Sequence, residues 1–186
     1  PTEKVSRLQE VHMPEIRIDD KHQRYVQLLD RVKGLEPIPT AVAHPCDEES
    51  LKGPVQAFQA GIIEPILVGP ENKIRAVAEE FGIDLHGIRI VHAAHSHDSA
   101  ALAVSLVRTG DAEALMKGSL HTDELMGEVV ARANGLRTSR RISHVFIMDV
   151  PTYHRPLLIT DAAINIAPTL EDKADIIRNA IELAHI

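Results

Sequence analysis

The sequence predicts an α/β fold: an open, mostly parallel sheet with flanking helices. Three observations carry that expectation. From Pro37 onward a unit recurs in which a short apolar run meets a turn residue and then a helix-period segment closed by glycine. The apolar runs are brief and nearly unbroken, as strands buried on both faces are. Parallel strands also need crossover connections, and a right-handed connection through a helix is the common solution.

The elements follow in order. His22 to Lys33 reads as a short amphipathic helix, with Tyr25, Leu28, Leu29 and Val32 on one face. Ile38 to Ala43, Pro65 to Val68, Arg89 to Ala93 and Ala114 to Met116 read as strands. After the second, Gly69 and Pro70 open a helix that turns Ile74, Val77, Ala78 and Phe81 inward, and Gly82 stands where a left-handed C-cap belongs. After the third, Ser96 is the expected N-cap of a helix burying Leu102, Ala103, Leu106 and Val107, stopped at Gly110.

The pattern changes after Gly135. His144 to Val150 and Leu157 to Ala162 are joined by Pro151 to Pro156, too few residues for a crossover helix, so an antiparallel hairpin is expected. Thr169 to His185 reads as a strong helix: Thr169 caps it, Asp172 completes a capping box, and Leu170, Ala174, Ile177, Ile181 and Ala184 form its apolar face. The expected organisation is a linker or tail over 1–20, a first α/β domain over 21–137, and a second domain, hairpin plus helix, starting at 138.

Composition narrows the function classes. The chain is 44% hydrophobic and 25% charged, within the soluble globular range. Its longest apolar runs, such as Val145 to Met148, fall far short of the roughly 20 residues of a membrane span. The first twenty residues are polar and mixed in charge, unlike a secretory signal, so a cytoplasmic address is expected. Cys46 is the single cysteine, which excludes an intrachain disulfide and a CxxC site. A formal charge of −7 opposes sequence-independent attraction to nucleic acid, so any anionic ligand needs local basic groups.

Ligands of open α/β sheets gather at the carboxyl ends of strands. There Lys117-Gly118-Ser119-Leu120-His121-Thr122 supplies a cation, a glycine that permits close approach, hydroxyls and a helix start. These residues suit a phosphate group, although Asp123 and Glu124 follow at once, and a plain capped helix is the alternative. Asp161 and Asn165 interrupt an apolar strand end; they either orient a substrate or close a turn on their own backbone. His92, His95 and His97 raise a metal site, which lacks acidic or cysteine support nearby, so a polar loop is the preferred reading. His44-Pro45-Cys46-Asp47 raises a Cys-His nucleophile, but a small buried cysteine accounts for it better. Arg137, Arg140 and Arg141 either meet a phosphate or form a solvated linker.

Met116-Lys117-Gly118-Ser119-Leu120-His121-Thr122, Ile142-Ser143-His144-Val145 and Thr160-Asp161-Ala162-Ala163-Ile164-Asn165-Ile166-Ala167-Pro168 occur in that order, and together they resemble the phosphate acetyltransferase and butyryltransferase family. The likeness runs from Arg24 to Ile186, and Lys173-Ala174-Asp175-Ile176-Ile177 after the last motif resembles the butyryl-type branch more than the classical acetyl type. The resemblance implies a two-domain architecture like that of isocitrate and isopropylmalate dehydrogenases, here with its second domain incomplete, and a dimeric or larger homo-oligomer. It implies reversible transfer of a short acyl group between coenzyme A and inorganic phosphate, by attack of the coenzyme A thiol on acyl phosphate. Coenzyme A is then a substrate, and no metal or redox cofactor takes part.

Carried onto this chain, the resemblance makes Lys117, Gly118, Ser119 and Thr122 the residues for anion recognition, with Arg141, Ser143, Asp161 and Asn165 as further substrate-binding residues. Two departures limit it. Where many relatives carry an arginine in the helix after the KG motif, this chain places Gly127. The family also continues beyond a helix equivalent to the one ending near His185, and its proposed catalytic aspartate, serine and arginine lie in that continuation. An incomplete catalytic unit with uncovered apolar surface is therefore expected, and the catalytic residues are unassigned. The alternative is a non-catalytic module that binds coenzyme A or phosphate or supports oligomerisation. A dehydrogenase-like enzyme ranks last, without a GxGxxG fingerprint or a metal carboxylate cluster. Some relatives carry an N-terminal hydratase-like domain, and residues 1–20 fit the linker that would follow it.

Overall fold

The computed structural model describes residues 23–150 and 153–186. Within them run α1 (Gln23–Val32), β1 (Ile38–Ala43), α2 (Glu48–Gln59), β2 (Ile63–Gly69), α3 (Glu71–Phe81), β3 (Arg89–His92), α4 (Ser96–Thr109), β4 (Ala114–Lys117), α5 (Thr122–Val129), β5 (Val145–Met148), β6 (Leu157–Thr160) and α6 (Leu170–His185). The described residues divide into two compact units, one spanning Val32–Arg141 and the other residues 142–186 together with residues 23–31. The second-domain start expected near 138 and the expected linker over 1–20 are thus set beside a division at Arg141 and a segment outside the described residues. Among the described residues no helix is long and apolar enough to cross a membrane.

The larger unit is a four-stranded parallel sheet in the order β3-β2-β1-β4. Successive strand residues face opposite sides, so β1 and β2 each feed two cores. Ala41, Ala43, Ile66 and Val68 meet Ala100, Ala103, Val104 and Leu106 of α4, with Leu120 and Leu125 closing that layer. Val42 and Leu67 meet Leu51 and Val55 of α2 and Ile74 and Ala78 of α3 on the other face. Helices on both faces bury the greater part of β1 and β2, which is why these two read as apolar runs, while β3 and β4 at the sheet edges are only partly covered. Each large side chain so buried contributes about 1.5–3 kcal/mol.

Local sequence sets the helix ends. Gly82 and Gly110 close α3 and α4 at φ of 63° and 83°, left-handed values that cost glycine no Cβ clash. Asp47 caps α2 by accepting from the Ser50 amide at 2.9 Å. The expected cap of α4 is corrected: His95 holds the N-cap position without a side-chain bond, and Ser96 lies inside the first turn. Phe81, expected inward, ends α3 and is 45% exposed, because the left-handed glycine turns the chain away just there.

The other unit contains the antiparallel hairpin, with Val145 opposite Thr160 and Met148 opposite Leu157. Thr169 caps α6, and its hydroxyl and amide both engage the Asp172 carboxylate, at 2.8 and 2.9 Å. The buried side of α6 differs from expectation: Ile176 is buried while Leu170, Ile177 and Ile181 are exposed. A two-stranded sheet offers only a narrow apolar strip to a helix, and the wider apolar face of α6 remains uncovered.

Candidate functional site

The strand order places the topological switch of the sheet between β1 and β4, since the chain leaves β1 for β2 and β3 on one side and comes back to β4 on the other. The loops after these two strands are joined there. Gly118 donates its amide to Ala43 O at 2.8 Å and Ser119 donates to His44 O at 2.9 Å. The Ser119 hydroxyl donates to the same His44 oxygen at 2.8 Å and accepts from the Cys46 amide at 3.1 Å. A Cβ on Gly118 would stand 2.4 Å from Ala43 O and 2.7 Å from His44 O, so only glycine allows this approach.

This clasp changes what the KG segment can do. The amides of Gly118 and Ser119 and the Ser119 hydroxyl are all committed within the protein. Lys117 stands exposed at the end of β4, its Nζ donating to Gly118 O at 3.2 Å, and Thr122 is exposed as the first residue of α5. Those two side chains, with the exposed imidazole of His121 between them in sequence, are open to an incoming anion.

Glu124 organises the neighbouring helix starts. Its Oε1 accepts from the Ser96 hydroxyl at 2.9 Å and pairs with His97 Nε2 at 3.2 Å, while Oε2 accepts from the His121 amide at 3.0 Å. The Ser96 bond, with the His121 amide and the His97 and His121 rings, holds the Glu124 carboxyl below its ordinary range against a smaller effect of burial. Its charge is therefore used inside the protein, although it occupies the first turn of a helix beside a candidate anion site.

His44 follows β1 in a left-handed conformation, at φ 56°. Its Nδ1 lies 3.0 Å from Ser99 Oγ, and the fully buried Ser99 gives its proton to His95 O at 2.7 Å. Nδ1 is thus the donor of the pair, which leaves the lone pair on Nε2. Burial, helped by the Lys73 ammonium and opposed by Glu124, keeps the imidazole below its ordinary pKa. Burial likewise pushes the half-buried Cys46 thiol up, with Lys73 opposing and Asp47 adding, the environment of a protonated packing cysteine rather than of a nucleophile. His92 accepts from the Glu71 amide at 3.5 Å and His97 is paired with Glu124. Among the described residues no three His, Cys, Asp or Glu side chains are grouped to hold a metal ion.

In the other unit the Asp161 carboxylate accepts from the amides of Ala163 and Ile164, both at 3.0 Å, and of Asn165 at 3.1 Å, and from the Asn165 side chain. Burial raises this carboxyl, but those bonds outweigh it and hold the group well below the usual carboxylate range. Asn165 Nδ2 also donates to Ile142 O at 2.9 Å, and the Thr160 hydroxyl donates to His144 O at 2.7 Å. Ser143 Oγ accepts from Asn179 of α6 at 2.8 Å. Asp161 and Asn165 therefore sit in one hydrogen-bonded knot that also takes Ile142 O, Ser143 is tied separately to α6, and Asp161 closes its own turn. His144 and Phe146 meet edge to face, with ring centroids 4.3 Å apart, and among the described residues the buried Nδ1 of His144 has no hydrogen-bond partner. Arg141 is exposed at the last position of the larger unit.

The structure gathers Lys117, Gly118, Ser119 and Thr122 in one unit and Ser143, Asp161 and Asn165 in the other. Sequence reasoning did not give Glu124 its bridging role, read Ser96 as an N-cap and His44 as half of a Cys-His pair, and left out Ser99 and Lys73. An acidic residue three positions after His121 was the one signal for the first of these; the others depend on contacts between distant segments.

Comparison with known proteins agrees with the fold. The crystal structure of a phosphotransacetylase from Streptococcus pyogenes superposes with a TM-score of 0.73 at 19% identity, covering 87% of this chain and 57% of that one. A phosphate acetyltransferase of Rickettsia prowazekii is 54% identical over 90% of this chain and 48% of its own length. A phosphate butyryltransferase of Clostridium acetobutylicum is 35% identical over 86% of this chain and 53% of its own. The chain spans about half the length of the curated relatives it matches. Residues 92–186, just over half of the chain, match the family described as phosphate acetyl/butaryl transferase. That stretch carries Gly118 and Ser119 of the clasp, the Glu124 bridge and the Asp161 knot, and the chain belongs to the phosphate acetyl/butaryl transferase family.

Proposed function

We propose that this chain forms part of an acyltransferase that moves a short acyl group between coenzyme A and inorganic phosphate. The observation that carries the reading is the family match over 92–186, which spans both hydrogen-bonded loops. In the direction that consumes acyl phosphate, the coenzyme A sulfur forms a bond to the carbonyl carbon, the bond from that carbon to phosphate oxygen breaks, and the thiol proton leaves to a base. Lys117 and Thr122 are exposed groups of the KG segment that meet the anionic substrates, and Gly118 and Ser119 act by fixing its shape. Asp161, Asn165 and Ser143 hold the second loop in form, with Arg141 offering charge toward a phosphate.

The same proposal includes a cytoplasmic address, no metal or redox cofactor in bond making, and a homo-oligomeric assembly. Half-exposed Phe146, Ile147 and Ile159 on the hairpin support the last of these. The test is phosphate-dependent release of coenzyme A thiol from acetyl-CoA and butyryl-CoA, by this chain and by the full reading frame that encodes it. Turnover by the full product supports the reading, and the faster substrate assigns the acyl chain. No turnover by either, with acyl-CoA still bound, would replace it with a binding module.

A further inference from the structure

His44 is held at the carboxyl end of β1 against the preference of its own backbone. At φ 56° it is the one non-glycine left-handed residue among the described residues, a conformation that glycine enters without steric cost. The imidazole is also fixed from outside its own loop. Ser99 of α4 gives its proton to His95 O at 2.7 Å, so its oxygen accepts from His44 Nδ1 at 3.0 Å and the neutral ring keeps a single tautomer. Among the described residues Nε2 has no hydrogen-bond partner, and it is not one of the buried unpaired atoms, so its lone pair opens to solvent.

The ring stands beside the segment assigned to the anionic substrates. Ala43 is the strand partner of Lys117, and neighbouring strands lie about 4.8 Å apart, so His44 and Lys117 leave the sheet at adjacent positions. Both are on the side of α4: Ala43 shares a core with Ala100 and Ala103 of that helix, paired residues share a face, and the His44 ring bonds to Ser99. The His44 carbonyl takes both the amide and the hydroxyl of Ser119, at 2.9 and 2.8 Å, which ties the two loops at this point. A base oriented by one neighbour and joined to the substrate loop by another is the arrangement that proton transfer needs.

We propose that His44 is a catalytic residue of the acyl transfer, its Nε2 taking the proton of the coenzyme A thiol; the assignment rests on the acyltransferase reading. The S–H bond breaks as its proton passes to Nε2, and the sulfur electron pair forms the bond to the carbonyl carbon. The bond from that carbon to oxygen breaks with its pair leaving on phosphate, and the imidazolium then gives the proton to the departing phosphate. Ser99 is a positioning residue, which keeps the lone pair on Nε2. Burial is the largest influence that keeps the ring neutral, with Lys73 of α3 acting in the same sense and Glu124 of α5 against it. The other titratable groups around it are Cys46 and Asp47 in its own loop, Lys117 beside it on β4 and His95 at the start of α4. A lowered pKa leaves the free base as the main form at neutral pH, the state that accepts a proton.

The test uses the product of the full reading frame that encodes this chain, assayed for attack of coenzyme A on acetyl phosphate and butyryl phosphate across pH. The rate should fall as pH drops through the His44 titration, below the ordinary histidine value. His44→Asn suits the left-handed backbone and retains an amide donor toward Ser99, but it carries no base. It should lower kcat about a hundredfold with KM nearly unchanged, and the acid limb should disappear. Ser99→Ala should lower kcat about fivefold, the worth of one neutral hydrogen bond, and keep the acid limb. His44→Gly removes the backbone cost, and added imidazole should raise its rate while leaving that of the parent unchanged. Turnover by the parent with His44→Asn equally fast, or with the same acid limb in His44→Asn, overturns the assignment to His44 and leaves the acyltransferase reading standing. A slow His44→Asn of lowered melting temperature, with no imidazole rescue of His44→Gly, overturns it as well, as a purely structural effect. No turnover by the parent takes down both.

Discussion

Glu124 Oε1 lies 2.9 Å from the hydroxyl of Ser96, twenty-eight residues earlier in the chain, and this bond joins the starts of α4 and α5. The same carboxylate takes the His121 amide, so one side chain fixes how two helices leave the carboxyl edge of the sheet.

Replacing Glu124 by Ala should lower the melting temperature at neutral pH and by less in acid. The folded-state pKa is depressed, so its contribution is present above the ordinary glutamate value and disappears as pH falls through the lower folded value. Melting curves of both proteins from neutral to strongly acid pH measure this. Parallel curves would show that the bridge contributes nothing through its charge.

Gly118→Ala should cost about 3 kcal/mol, because the new methyl would meet backbone atoms of Ala43 and His44, which cannot swing aside as side chains can. The urea midpoint should drop at unchanged slope. An unchanged midpoint would mean that the β1 and β4 loops separate easily.

Asp161→Ala should free the amides of Ala163 and Ile164, a loss like that of a helix cap, about 1 kcal/mol. Hydrogen exchange at those two amides should quicken about fivefold, while amides in β1 keep their protection. With the Asp161 carboxyl depressed, the effect should be full above the ordinary aspartate pKa and vanish toward strong acid.

Two glycines should behave oppositely. A Cβ on Gly53, inside α2, meets nothing within 4 Å, so Gly53→Ala should stabilise by up to about 1 kcal/mol. Gly82→Ala places a methyl at φ 63° and should cost about 1 kcal/mol. Thermal unfolding of the two variants side by side decides the sign of each.

Much of this fold was legible because its determinants are local or periodic. β1 spans the expected Ile38–Ala43, Gly82 and Gly110 close their helices, and Thr169 with Asp172 forms the expected box. α2 gives a weaker signal, since Gly53 and Pro54 lie in its interior. The buried face of α6 was not legible, because its periodic apolar residues do not say how wide a surface will meet them. The site was legible as a set of segments and opaque as geometry. Nothing local to Ser119 indicates that its hydroxyl serves His44, seventy-five residues away, or that Ser99 fixes the tautomer of the same histidine.

The clasp between Gly118 and the end of β1 makes two distant stretches of sequence a single inheritable part. A chimera that borrows 117–122 from a relative while keeping its own 43–46 would set foreign backbone contours against each other at under 3 Å. Recombination between relatives, natural or designed, has to move both stretches or neither.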